Sequence, residues 1–238
     1  MLANRFGFST GALARGDYHS ALGWMRQHQL RSMELSALRY DELEPLSNDI
    51  AALPVDAFAY VSFHAPSYFA KEREEKVVSL LESARRRNWN IVVHPDVIYT
   101  PRRWRHFGRQ LLIENMDRRK STGRTVDELQ LLFGELPEAR LCLDVAHARQ
   151  LDTTLLSLRA LVTCFRTKIA EVHISELDSR CRHLPLSWQS ITDYRHFASS
   201  LQAIPVIIES VLCRSDNRER QQEVKWAYSA MEQPIGHF

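Results

Sequence analysis

Long apolar runs are missing from this 238-residue chain: nothing approaches the roughly 18 residues of a membrane-crossing helix, and residues 1–20 lack the apolar centre of a secretion signal. A membrane protein is not expected, and a reducing cytoplasm is the expected location. Cysteine is sparse. Cys142, Cys164, Cys181 and Cys213 form no Cys-x-x-Cys pair, which argues against a zinc ribbon or a disulfide framework. An excess of one charge is missing too: 31 Lys and Arg against 29 Asp and Glu leave +2, too little by itself to indicate a nucleic-acid partner. No linker or low-complexity stretch divides the chain, so residues 1–238 are read as one domain. What remains, 45% hydrophobic and 25% charged, is the composition of an ordinary globular protein.

The informative stretch is Leu141-Cys142-Leu143-Asp144-Val145-Ala146-His147. Residues 139–145 read as a buried strand of a parallel sheet. An aspartate inside it is costly unless something pairs with it, whereas at the strand's C-terminal end it can face a metal ion or a polar substrate. Other apolar runs end the same way. Strands are expected at 5–10, 32–36, 57–64, 90–94, 110–115, 139–145, 169–175 and 205–210. Helical periodicity falls between them, at 41–53, 71–88, 125–133, 152–162, 188–201 and 219–231, with helical spacing also at 21–25. Thr125 and Glu128 have the spacing of a capping box. The basic segment 100–108 leaves room for only one or two helical turns. Alternation of this kind predicts a single (β/α)8 TIM barrel with a shortened fourth helix. The polar residues ending strands, at 34, 64, 94, 114, 144, 173 and 209, recur about every 30 residues, as a barrel of this length requires, with a shorter step between 94 and 114.

In such barrels the C-terminal ends of the strands converge on one mouth, where chemistry sits. That mouth would receive Glu34, His64, His94, Glu114, Asp144, His147, His173 and Glu209. One histidine closing a strand is ordinarily a hydrogen-bonded structural residue; six strands in succession ending in a metal-competent residue point to a metal site. Carboxylate and imidazole together suit Mn, Zn, Co, Mg or Fe.

The strand ends SFHAP, VVHPD, LLIENM, CLDVAH, EVHISELD and VIIES resemble the xylose-isomerase-like TIM-barrel superfamily. It includes sugar and sugar-phosphate isomerases and epimerases, inosose dehydratases and the endonuclease IV family of phosphodiesterases. The resemblance implies a divalent metal held by Glu114, Asp144, His173 and Glu209. It implies a second metal at His64 and His94 with Glu114 as bridge. His147 matches a residue that contacts substrate in the isomerases and binds a further zinc in the endonucleases. His183, in the run His183-Leu184-Pro185-Leu186, matches the loop after the seventh strand, as second-metal or substrate ligand. Two residues depart from the pattern: Cys181 stands where the endonucleases have Asp, and Ser187 where the isomerases have Gly.

The first functional expectation is a metal-dependent isomerase or epimerase acting on a sugar, sugar phosphate or related polyol through an enediolate. Glu114 and Glu209 would move the proton as base and acid, with His147, Arg180 and His183 holding substrate oxygens. The alternative is a multinuclear zinc phosphodiesterase acting on abasic DNA. In it the basic run Arg102, Arg103, Arg105, His106 and Arg109 would track phosphates around a Trp104 wedge. A multinuclear dehydratase or oxidase is a third class. The expected partner is a small carbohydrate-like substrate, with nucleic acid second and a homodimer left open. Expected to be bland are Glu34 as a hydrogen-bonded structural residue, 116–120 as a solvated loop, Trp24, Trp89 and Trp226 as helix packing, and Cys142 and Cys164 as buried small hydrophobes.

Overall fold

The eight apolar runs pair in parallel and close on themselves in the computed structural model, which describes residues 5–214 and 216–232. The barrel strands are β1 (Phe6–Ser9), β2 (Ser32–Ser36), β3 (Tyr60–His64), β4 (Asn90–Val93), β5 (Leu111–Glu114), β6 (Arg140–Asp144), β7 (Ile169–Ile174) and β10 (Val206–Ile208), with β10 beside β1. Two short strands, β8 (Glu176–Leu177) and β9 (His183–Leu184), pair antiparallel after β7. Closure depends on a missing side chain. At Gly7 a Cβ would fall 1.6 Å from the Ser32 carbonyl oxygen, so β1 meets β2 only with glycine there. Closure is also clasped. Arg5 Nε lies 2.8 Å from Glu232 Oε1, and its Nη1 donates to the Leu201 and Ile204 carbonyls at 2.9 and 2.8 Å.

Helices α1 (Thr10–Ala14), α2 (Tyr18–Gln27), α3 (Tyr40–Asp49), α4 (Glu74–Arg86), α5 (Pro101–Trp104), α6 (Val126–Glu135), α7 (Val145–Leu151), α8 (Leu156–Cys164), α9 (Trp188–Arg195) and α10 (Asn217–Met231) cover the outside. In α4, Val77, Leu81 and Ala84 form the buried stripe, with Glu74 and Glu75 opening the helix and Arg85 and Arg86 ending it, the signs that suit its dipole. Trp24, Trp89 and Trp226 pack against the core, as expected. Cys142 is buried, but Cys164 is exposed, because α8 ends on it at the surface.

Several boundaries differ from the sequence reading for local reasons. Strand β6 stops at Asp144, whose Oδ1 accepts the His147 N–H at 2.7 Å and so starts α7. The expected helix 152–162 begins only at Leu156, because Asp152 turns the chain by accepting the Thr154 and Ser157 N–H groups, both at 2.9 Å. The expected helix 188–201 breaks after Arg195 and resumes as a 3-10 turn, Ala198–Leu201. Thr125 caps α6 by accepting the Glu128 N–H, but Glu128 reaches back to the Arg124 N–H at 2.7 Å rather than to Thr125. The fourth helix is short, as expected. After α5 the chain continues as 3-10 turns, Arg105–Gln110, broken at Gly108 with φ 52°.

Most of the core lies between barrel and helices; among the described residues Val92, Leu112 and Cys142 form a separate small apolar cluster, with Ala170 against it. A bulge in the β6–β7 ladder pairs Leu141 with Ile169 but Cys142 with Glu171. Ala170 and Glu171 both enter the interior as a result, and Asp144 and His173 come level at the top.

Candidate metal centre

Glu114, the last residue of β5, is the hub. Its Oε2 lies 3.2 Å from Nε2 of both His64 and His94, at the ends of β3 and β4. Its Oε1 lies 3.5 Å from His173 Nδ1 and 3.4 Å from His147 Nδ1. His173 Nδ1 is also 3.4 Å from Glu209 Oε2, one residue past β10. Donor atoms of Glu114, Asp144, His173 and Glu209 all fall within 4.8 Å of one another; the same holds for His64, His94 and Glu114, and for Asp144, His147 and His183. Barrel geometry thus gathers every metal-competent strand end named from the sequence except Glu34, which lies deeper.

Three of the donors, Asp144, His147 and His64, are aimed by a second contact. Asn115 clamps β6, its Oδ1 accepting the Asp144 N–H and its Nδ2 donating to the Asp144 carbonyl, both at 2.8 Å. The Asn115 carbonyl accepts from His147 Nδ1 at 2.8 Å, leaving the His147 Nε2 lone pair free. His64 Nδ1 donates to the Ala65 carbonyl at 2.7 Å, which turns its Nε2 toward Glu114. Two atoms of the four-residue group, Asp144 Oδ2 and His173 Nδ1, are buried with no hydrogen-bond partner, as is His94 Nδ1. Buried polar atoms without partners are costly, and a cation among them removes that cost. The residues therefore fit a divalent ion.

The charge balance agrees. Burial opposes ionisation of Glu114, but the close imidazoles of His173, His64 and His94 outweigh it and hold the carboxyl well below its usual range. Burial, then the neighbouring Glu114 and Glu209 charges, push Asp144 well above its ordinary value. Glu209 is brought down to about 2 by His173 against the effect of burial. His64 rises to about 9, because Glu34 and Glu114 outweigh its burial. His94 shifts down, burial being the main cause. Crowded carboxylates here keep protons on their neighbours, the electrostatic role a metal takes over when it binds.

The mouth opens into a cavity of about 960 Å³, with Arg15, Leu38, Tyr68, Arg119, Lys120 and Arg182 on its wall. Its size suits one small ligand. Arg180 stands outside. It is exposed and only its N–H engages, on Asp178, because the chain turns through a left-handed Cys181 (φ 59°) and delivers Arg182 to the wall instead. His183 shares a hydrogen bond with Ser175 Oγ at 2.8 Å and reaches the Asp144 and His147 group. Cys181 lines the mouth, with Gln150 Nε2 2.8 Å from its sulfur, and falls in none of the ligand groups among the described residues.

The basic run does not present the expected aromatic wedge. Trp104 is fully buried and donates to Glu74 at 3.0 Å, so it cannot wedge between bases. Arg103 pairs with Glu74 and Glu75, Arg105 with Glu135 and His106 with Glu82, tying the segment to its neighbouring helices. The segment 116–120 is also not simply solvated: Met116 and Asp117 are buried, and Asp117 Oδ2 stands 3.8 Å from His147 Nε2 while Arg119 grips the same carboxylate. Glu34 is buried, as a structural role implies, accepting from Ser36 Oγ at 3.1 Å, and also lies 3.2 Å from His173 Nε2. Glu171 was not singled out from the sequence, although a glutamate two positions before His173 on a strand must share its face.

No protein-family model matches the chain, and no curated protein matches it. Solved structures do. Endonuclease IV from Thermus thermophilus superposes with a TM-score of 0.60 at 20% identity, covering 94% of this chain and 98% of that one. An AP endonuclease of family 2 from Brucella melitensis gives 0.61 at 14% identity, over 97% and 100%. A xylose isomerase-like TIM barrel protein from Mycobacterium smegmatis, in complex with magnesium, gives 0.57 at 13% identity, over 90% and 89%. At these identities the likeness shows the fold alone, a (β/α)8 barrel.

Proposed function

We propose that this barrel is a metal-dependent hydrolase of phosphate esters. The carrying observation is Glu114, whose two carboxylate oxygens face separate donor sets, His64 with His94 on one side and His173 with His147 on the other. Glu114, Asp144, His173 and Glu209 would hold one ion, His64 and His94 a neighbour through Glu114, and His147 with His183 a further one beside Asp144. Divalent ions held there would supply Lewis-acid polarisation of a phosphate ester and activation of water.

The chain's own residues do the rest. Asn115 fixes Asp144 and His147 before substrate arrives, so no reorganisation is needed during reaction. Arg119, Lys120 and Arg182 on the wall are held by Asp117, Asp96 and Asp178, while Arg15 has no carboxylate partner among the described residues and is the side chain free to meet an anion. Both endonucleases among the similar structures make abasic DNA a substrate to try, beside simple phosphodiesters.

A second reading, isomerisation or epimerisation of a sugar or sugar phosphate, is favoured by a different observation. Glu114 and Glu209 both approach His173 Nδ1, at 3.5 and 3.4 Å, so two carboxylates border one metal position where they could pass a proton. The cavity admits one small molecule.

Metal content by elemental mass spectrometry, on protein purified without chelator, separates the two. The hydrolase reading expects at least two ions per chain, loss of one in His64→Ala, and turnover of bis(p-nitrophenyl) phosphate or abasic DNA. One ion per chain, unchanged in His64→Ala, with epimerised ketose as the product, overturns it in favour of the second.

A further inference from the structure

Below the metal centre the barrel interior carries a column of polar side chains where branched apolar residues ordinarily fill such barrels. His173 Nε2 lies 2.7 Å from Glu171 Oε1, and Glu171 is fully buried. The other Glu171 oxygen accepts from the Tyr60 hydroxyl. That hydroxyl accepts from Asn90 Nδ2 at 2.8 Å, and Asn90 Oδ1 accepts from Arg140 Nη2 at 2.6 Å. Tyr60, Asn90 and Arg140 are the first residues of β3, β4 and β6. Strands β3 and β7 are not neighbours, so the Tyr60–Glu171 contact crosses the interior. Polar groups inside a barrel cost stability unless fully paired, and here pairing runs unbroken from the barrel floor to a metal-ligand candidate.

We propose that Glu171 is a positioning residue for the metal centre, fixing His173 as its Nε2–H tautomer so that the Nδ1 lone pair points between Glu114 and Glu209. Tyr60, Asn90 and Arg140 hold Glu171 in place. The carboxylate fixes the ring's rotation as well as its proton, and it makes the imidazole a better donor. This role rests on the metal reading above but on neither reaction assigned to it.

A rival arrangement has to be separated. Donor atoms of Cys142, Glu171 and His173 also fall within 4.8 Å of one another, so these three could hold an ion themselves. The test uses the full chain loaded with Co(II), read by visible absorption and by competition against a chelator. Glu171→Leu is expected to weaken cobalt binding about 10- to 100-fold and to shift the visible bands. Glu171→Gln, which keeps an oxygen to accept the Nε2–H, is expected to stay within a few-fold of the parent, by the same reasoning. Tyr60→Phe, which releases Glu171 without removing it, is expected to fall between them, and it keeps the test decisive if Glu171→Leu does not fold. Unchanged affinity and spectrum in Glu171→Leu and Tyr60→Phe overturn the proposal. So does a thiolate-to-cobalt charge-transfer band that Cys142→Ser abolishes, since Glu171 and Cys142 would then be ligands. Failure of the parent protein to bind cobalt at all overturns the metal centre, and this role with it.

Discussion

Asp144 shows how one side chain serves two purposes. Its Oδ1 starts a helix, and its Oδ2 is left without a hydrogen-bond partner beside Glu114 and Glu209. Asp144→Asn retains the cap acceptor and loses the anionic donor. It should fold, yet bind metal at least 10-fold more weakly, with activity falling in step; Glu114→Gln and Glu209→Gln should behave alike. Unaltered metal stoichiometry in all three would remove the assignment. The protons held in this cluster give a second expectation. The His64 imidazole, raised from its ordinary 6.5 to about 9, binds its proton more tightly folded than unfolded. In metal-free protein its contribution to stability is full below pH 6.5 and is lost as pH rises through about 9. Urea midpoints of the apo-protein should therefore decline over that window, and metal uptake within it should release protons into a weakly buffered solution. A flat midpoint with no proton release would contradict the arrangement.

Among the elements, those with a strong period were legible and those set by a single side chain were not. The amphipathic stripe of α4 and the eight apolar runs could be read directly. Helix α7 could not, because its start depends on Asp144 turning back onto the His147 N–H, and a capping aspartate looks like any other aspartate ending a strand. The site shows the same division. Glu114, Asp144, His173 and Glu209 sit at equivalent positions of successive repeats, a pattern visible in one dimension. Asp117 and Arg182 lie in loops whose direction is set by contacts distant in sequence or by one left-handed residue, so nothing local distinguishes them from the exposed Arg180. The short fourth unit was anticipated in length but not in role: Trp104 anchors it through Glu74. Trp104→Ala should cost about 3–5 kcal/mol of stability, measured by chemical unfolding, while leaving metal content unchanged. Loss of metal in a still-folded variant would tie that segment to the site after all.

Taken as a whole, the barrel is closed by contacts between the two ends of the described chain, β1 against β10 and Arg5 against Glu232. Gly7 makes the seam between β1 and β2 possible. Gly7→Ala places a methyl group inside the van der Waals radius of the Ser32 oxygen and should cost several kcal/mol or prevent folding, whereas Gly23→Ala, at a position with nothing within 4 Å, should not. Equal unfolding midpoints for the two variants would show that the seam can give.

The four residues of the best-formed ligand group come one each from β5, β6, β7 and the end of β10, and His64 and His94 come from β3 and β4. No short peptide of this chain contains a complete set, so the unfolded chain offers an ion nothing comparable to bind. Binding is then confined to the closed barrel, and occupancy at 100 times the dissociation constant would add about 2.7 kcal/mol to its stability by mass action alone. The barrel becomes, in effect, a gauge of its surroundings: how long a copy of this protein survives proteolysis would rise and fall with the supply of free metal, before any substrate is considered.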